Sequence, residues 1–211
     1  MEPEPDREII YVDDPMCSWC WGIAPELTDL RKRRPDLGFR IVLGGLRPGP
    51  AAEEMTDRMA ASLRHHWEQV AGRTGQPFDQ RLLDRRDWTY DTEPACRAVV
   101  VVRTLEPDLA WPMFERLQNG FYAEGSVLQD TDTLARYAEQ IGGDGEAFRS
   151  TFGTRAAIEA TWHDFSLARS WGITGFPTIV ARDGNRGTLI SAGYATASDM
   201  EMALGSALPR R

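Results

Sequence analysis

Cysteine is scarce in this chain, with three among 211 residues. That excludes a disulfide-stapled scaffold. A chain of this length buries roughly 70% of its unfolded surface and needs no staple for a core. Histidine is equally scarce, and His65, His66 and His163 stand in no zinc-finger spacing. No run approaches the ~20 apolar residues of a spanning helix. The opening Met1-Glu2-Pro3-Glu4-Pro5-Asp6 has neither the basic n-region nor the apolar h-region of a secretory signal. A cytoplasmic protein with no membrane partner is therefore expected. Positive charge is in deficit, 24 Lys and Arg against 32 Asp and Glu, for a net charge of −8. This argues against a nucleic-acid partner. The basic run Arg31-Lys32-Arg33-Arg34 falls at the predicted end of a helix, where cations complement the macrodipole. No internal repeat or low-complexity tract stands out.

What the chain does have is Cys17-Ser18-Trp19-Cys20. Two thiols three positions apart can close one disulfide ring, the working part of a thiol–disulfide exchanger. Upstream, Ile9 to Val12 form a β-prone run that Asp13, Asp14 and Pro15 end. Downstream, a helical pattern runs from about Cys17 to Arg34 and stops at Pro35. A thiol at a helix N-terminus faces unpaired backbone N–H groups and the positive end of the dipole, and both favour thiolate over thiol. Cys17 is thus the expected nucleophile. Cys20, one turn deeper and less exposed, is the resolving thiol. Two alternatives stay open beside exchange: a zinc half-site, which lacks a second Cys-x-x-Cys, and a structural crosslink. No metal is expected.

The rest of the chain sets these thiols in a β-α-β unit, a helical block and an α-β-β-α close. Phe39, Ile41 and Leu43 mark the second strand, closed by Gly44-Gly45. Met55, Met59, Leu63, Trp67 and Val70 lie on one helix face. Thr92-Glu93-Pro94 starts a helix, and that signal outweighs the β-branched run Val99-Val100-Val101-Val102. Thr131 or Thr133 is expected to cap a later helix and Ser198 the last one. Thr178 to Ala181 and Thr188 to Ser191 flank an Asp183-Gly184-Asn185 turn as a hairpin. The expected fold class is α/β, thioredoxin-like. Segments 1–46 and 154–211 form the thioredoxin-like domain, and 47–153 form an all-helical insertion domain.

Three local patterns carry a family resemblance. Asp14-Pro15-Met16-Cys17-Ser18-Trp19-Cys20 resembles a D-x-x-C-x-W-C motif. Pro25 stands five residues after Cys20, where thioredoxins keep a helix-kinking proline. Gly172-Ile173-Thr174-Gly175-Phe176-Pro177-Thr178 resembles a G-x-x-G-x-P-T segment whose proline is cis. The chain thus resembles the DsbA-like family of thioredoxin-fold proteins, closest to its cytosolic FrnE-like branch and to predicted protein disulfide isomerases. The resemblance implies a cis Pro177 beside the thiols. It also implies substrate contacts from Ser18, Trp19 and Phe176, whose backbone would hold an extended substrate as an added strand. Two departures matter. Ser18-Trp19 stands where DsbA has Pro-His, so strong oxidising character does not carry over. Tyr11 stands where thioredoxins and DsbA place a buried acid, which leaves Asp14 or Asp13 as the acid–base candidate.

The function these readings favour is a thiol–disulfide oxidoreductase or isomerase acting on protein or low-molecular-weight disulfides. The dithiol is itself the redox centre, so no bound cofactor is called for, and glutathione would enter only as a co-substrate. The alternative is a glutathione-dependent isomerase or transferase of the kappa-class or hydroxychromene carboxylate isomerase type. That class typically has Ser at the first position and lacks the second thiol. A third reading is a non-catalytic binding module built on the tryptophan-rich groove, with Trp19 exposed and Trp21 buried. Cys96 reads as a buried free cysteine on an apolar helix face.

Overall fold

β1 (Arg7–Asp13) is buried along almost its whole length, because the sheet it centres is covered on both faces. The computed structural model describes residues 7–208. The acidic stretch 1–6, on which the reading about a secretory signal rests, lies outside them. Ile9 and Tyr11 point into the main core, and Ile10 and Val12 point into a smaller cluster with Val42 and Ala168. α1 (Ser18–Arg33) crosses from β1 to β2 (Gly38–Leu43), which pairs parallel to β1 with Tyr11 opposite Ile41. β5 (Thr178–Asp183) pairs antiparallel to β1. β6 (Arg186–Ala192) completes the sheet in the order β2-β1-β5-β6, and the hairpin turn falls at Gly184-Asn185. α8 (Ala197–Ala207) packs back on α1.

Between β2 and β5 lie α2 (Asp57–Thr74), α3 (Glu93–Leu105), α4 (Ala110–Tyr122), α5 (Thr131–Gln140), α6 (Gly145–Phe152) and α7 (Arg155–Ser170). The block also holds a two-stranded ribbon, β3 (Glu53–Glu54) with β4 (Thr89–Tyr90), so it is not purely helical. Positions 47 and 153 fall in the loops after β2 and before α7. α3 is helical straight through its four valines, because burial of the apolar face decides over β propensity. Two caps differ from expectation. Asp130 caps α5 through the Thr133 N–H, and Thr196 caps α8 in a capping box with Asp199. In each case the residue just outside the helix has the extended backbone that capping needs.

α1 is the element that carries the thiols, and a distant loop repairs its weak point. Pro25 lies inside the helix and has no N–H for the Trp21 carbonyl one turn back. The Gln76 carboxamide donates to that carbonyl at 2.8 Å instead. The Trp21 indole N–H returns a bond to the Pro77 carbonyl at 2.9 Å. The basic run at the helix end is also more than a dipole complement. Arg34 is buried, forks onto Asp36 and donates to the Leu208 carbonyl. Arg33 joins Asp29 and Glu201.

Candidate active site

Cys17 sits at the N-cap of α1, the position that ordinarily holds an oxygen side chain facing the free N–H groups of the first turn. Its own N–H donates to the Asp14 carbonyl at 3.0 Å, which closes the turn after β1. Its thiol donates to the Phe176 carbonyl at 3.5 Å. The Phe176–Pro177 peptide is cis. The structure therefore brings Cys17, Phe176 and Pro177 together at one point. The leading thiol is less open than the sequence suggests: Cys17 is 6% exposed, in a recess, while Cys20 is 0% exposed behind it. Both are free thiols.

The recess depends on a glycine. Gly44 follows β2 and donates its N–H to the Asp13 carbonyl at 2.6 Å. A Cβ at this position would collide with the Phe176 ring, meeting Cδ1 at 2.9 Å and the more distal ring carbons closer still. The bare backbone lets Phe176 seat against the end of β2 and aim its carbonyl at Cys17.

The other expected site residues are distributed as follows. Ser18 is buried in the first turn. Trp19 is half-buried rather than exposed, because Tyr194 and His66 pack on it at ring distances of 6.2 and 6.1 Å. Arg73 lies 5.4 Å above the Tyr194 ring. Trp21 is buried and stacked on Tyr122. A groove of about 920 Å³ opens on the other side of the 171–176 loop, between it and the β5–β6 hairpin. Phe176 lines it, but neither thiol does.

The two acids turn out to differ. Asp14 is a hub: its carboxylate accepts from Met16 N–H at 2.8 Å, Leu46 N–H at 2.6 Å and the Cys96 thiol at 3.5 Å. Burial raises it to about 6 against the pull of those donors. It orders the loop leading into Cys17, and Cys96 is its partner rather than a plain apolar filler. Asp13 is fully buried, and neither of its carboxylate oxygens has a hydrogen-bond partner. Burial first, then the neighbouring Asp14 charge, pushes it well above the usual carboxylate range. Cys20 is likewise pushed up, by burial first and then by Cys17 and Asp13.

Sequence reasoning named Tyr11 as standing where related proteins place a buried acid but gave no role to this residue, which is fully buried beside Cys20. It also missed the pair beneath Asp13, where Arg103 forks onto Asp164 with both bonds at 3.0 Å and Asp164 accepts the Leu43 N–H. The tyrosine's position on β1, where related proteins place a buried acid, was the available signal for the first; the second had none. Among the described residues no group of three or more His, Cys, Asp or Glu side chains is placed to hold a metal ion. No described helix is long and apolar enough to cross a membrane.

Comparison with known proteins gives the family and the fold. The model of the DSBA-like thioredoxin domain family matches residues 8–205. A candidate protein disulfide isomerase from Nitrosomonas europaea superimposes with a TM-score of 0.87 at 33% identity, covering 96% of this chain and 97% of that one. The cytosolic disulfide reductase DsbM from Pseudomonas aeruginosa gives 0.79 at 24% identity, covering 95% and 98%. DsbM solved with GSH gives 0.76 at 26%, covering 96% and 100%. The ClpXP adapter protein SpxH of Bacillus subtilis (strain 168) is 22% identical over 178 residues, 84% of this chain. The chain spans 58% of the length of that curated relative.

Proposed function

The chain belongs to the DSBA-like thioredoxin domain family, and from that premise we propose that it is a cytoplasmic thiol–disulfide oxidoreductase whose working parts are Cys17, Cys20 and the Phe176–Pro177 loop. The observation that carries this reading is the placement of Cys17. It lies at a helix N-cap, against the Phe176 carbonyl, with Cys20 sealed one turn behind. The Cys17 thiolate attacks one sulfur of a substrate disulfide R–S–S–R′, forming Cys17–S–S–R and releasing R′S⁻. Cys20 loses its proton, attacks the Cys17 sulfur and releases RS⁻, leaving a Cys17–Cys20 disulfide. An external thiol then reduces that disulfide.

Each neighbouring group has a part in this scheme. The Phe176 backbone holds an extended substrate by strand addition. Half-buried Trp19, backed by Tyr194 and His66, offers the apolar edge beside the recess. Asp13 takes the Cys20 proton. Burial pushes Asp13 well above the usual carboxylate range, which makes it a better proton acceptor for Cys20 than an ordinary carboxylate. Asp14 is occupied by three donors and holds the loop instead. Glutathione is the co-substrate we favour, a choice supported by the likeness to DsbM, which has been solved with GSH. The presence of both thiols weighs against the glutathione transferase alternative. The test is insulin-disulfide reduction: Cys17→Ser should abolish it, and turnover equal to wild type would end this reading.

A further inference from the structure

Cys20 must become a thiolate inside the protein, and the side chains around it give that charge little support. The Asp13 charge opposes it, and Asp14 helps only through its backbone, by a hydrogen bond that favours the thiolate. Arg103, the cation felt at Asp13, is committed to Asp164. The Cys17 sulfur bears the mixed disulfide at that stage. Among the side chains, what remains is Tyr11. Its ring is locked in the core, 5.8 Å from Trp111 and 5.8 Å edge-on from Phe114 of α4. Its hydroxyl lies alongside the Cys20 thiol, short of a formed hydrogen bond, and has no nitrogen or oxygen partner. Phenylalanine would fill the same apolar cage without burying a lone hydroxyl, so packing alone does not account for tyrosine here. The adjacent Tyr122 hydroxyl is also unpartnered and buried, but it belongs to the aromatic cluster with Trp21, Trp67 and Phe78.

We propose that the Tyr11 hydroxyl is the hydrogen-bond donor that stabilises the Cys20 sulfur as it becomes a thiolate and resolves the mixed disulfide. The proposal rests on the exchange reading of Cys17 and Cys20. In the step, the Cys20 proton passes to the Asp13 carboxylate and the Cys20 thiolate accepts the Tyr11 O–H. The Cys20 sulfur bonds to that of Cys17, the Cys17–substrate bond breaks, and the substrate sulfur leaves as a thiolate. Tyr11 keeps its own proton throughout. Burial, then the charges of Cys20 and Asp13, push its ionisation upward, so it stays a donor. A donor here replaces with a hydrogen bond what a nearby cation would otherwise supply.

The two thiols are separable in one stopped-flow trace with an aromatic disulfide such as Ellman's reagent. The first equivalent of coloured thiolate reports attack by Cys17, and the second reports resolution by Cys20. Tyr11→Phe should leave the first phase unchanged and slow the second about ten-fold at pH 7. Its pH midpoint should move up by about one unit, the same change expressed as proton affinity. Tyr11→Phe should not lower the unfolding temperature, since the lost hydroxyl has no partner. Wild-type rates and midpoint in the second phase of Tyr11→Phe overturn the role of Tyr11 and leave the exchange reading standing. A wild-type trace with no second phase overturns both.

Discussion

Replacing Gly44 with alanine should loosen the site from outside it. The new methyl would meet the Phe176 ring, with Cδ1 at 2.9 Å, where carbon atoms rest at about 3.5–4.0 Å. The ring must withdraw by roughly 1 Å or more. Overpacking of this kind costs about 1–3 kcal/mol. Gly44 has no left-handed backbone, so alanine recovers about 0.4–1 kcal/mol through the unfolded chain. A net loss of about 1–2 kcal/mol lowers the unfolding temperature by about 2–8 °C in a chain of this size. Activity should suffer more, because the Phe176 carbonyl that faces Cys17 moves with its ring. A displacement of ~1 Å at a reacting centre costs up to about 10²-fold in rate. Thermal unfolding and insulin-disulfide turnover measure the two effects, and Phe176→Leu in the Gly44→Ala background should restore most of the stability. Wild-type melting and turnover in Gly44→Ala would refute the reasoning.

Two other predictions concern the supports of the site. Gln76→Leu strips the Trp21 carbonyl of its donor and should cost about 1–2 kcal/mol, seen as a lowered melting temperature. Adding Pro25→Ala should recover that loss, since residue 25 then supplies its own N–H; no recovery in the double variant would show that the clamp is not the cause. Asp14 has a raised affinity for its proton, about 6 folded against about 3.9 unfolded. The folded state therefore holds that proton more tightly. The stability it contributes is full below about pH 4 and is lost as pH rises to about 6, up to roughly 3 kcal/mol. The difference in unfolding free energy between wild type and Asp14→Asn should fall across that window and be flat above pH 7. A difference that does not change with pH would contradict it.

The parts of the fold that were legible in the sequence are those set by local chemistry. A β-prone run ended by Asp13, Asp14 and Pro15 gave β1, a start signal gave α3 despite its valines, and Asp183-Gly184-Asn185 gave the hairpin. The thiol pair was legible in the residues themselves, whereas the cis proline and its meeting with the thiols followed from motif resemblance. What stayed hidden depends on residues far apart in sequence. Gln76 completes a helix broken at Pro25, Gly44 makes room for Phe176, and Cys96 donates to Asp14. Composition carries no trace of such pairs, because each is a backbone or side-chain valence that only packing assigns. Asp13 and Asp14 are adjacent and read alike in sequence. One is left without partners and the other satisfied three times, because successive residues of a strand end point opposite ways. The recessed Cys17 and half-buried Trp19 were likewise invisible, since Cys17 is covered by Phe176 from the loop before β5, and Trp19 by His66 of α2 and Tyr194 of the loop after β6.

Trapping the half-reaction tests the division of labour between the two sulfurs most directly. Incubated with oxidised glutathione and examined by intact mass and peptide mapping, Cys20→Ser should accumulate one glutathione per chain, linked to Cys17. Wild type should pass through this adduct to a Cys17–Cys20 disulfide, Cys17→Ser should stay unmodified, and Cys96 should remain free in all three. An adduct on Cys20 in the Cys17→Ser protein at the wild-type rate, or none on Cys17 in Cys20→Ser, would contradict the account.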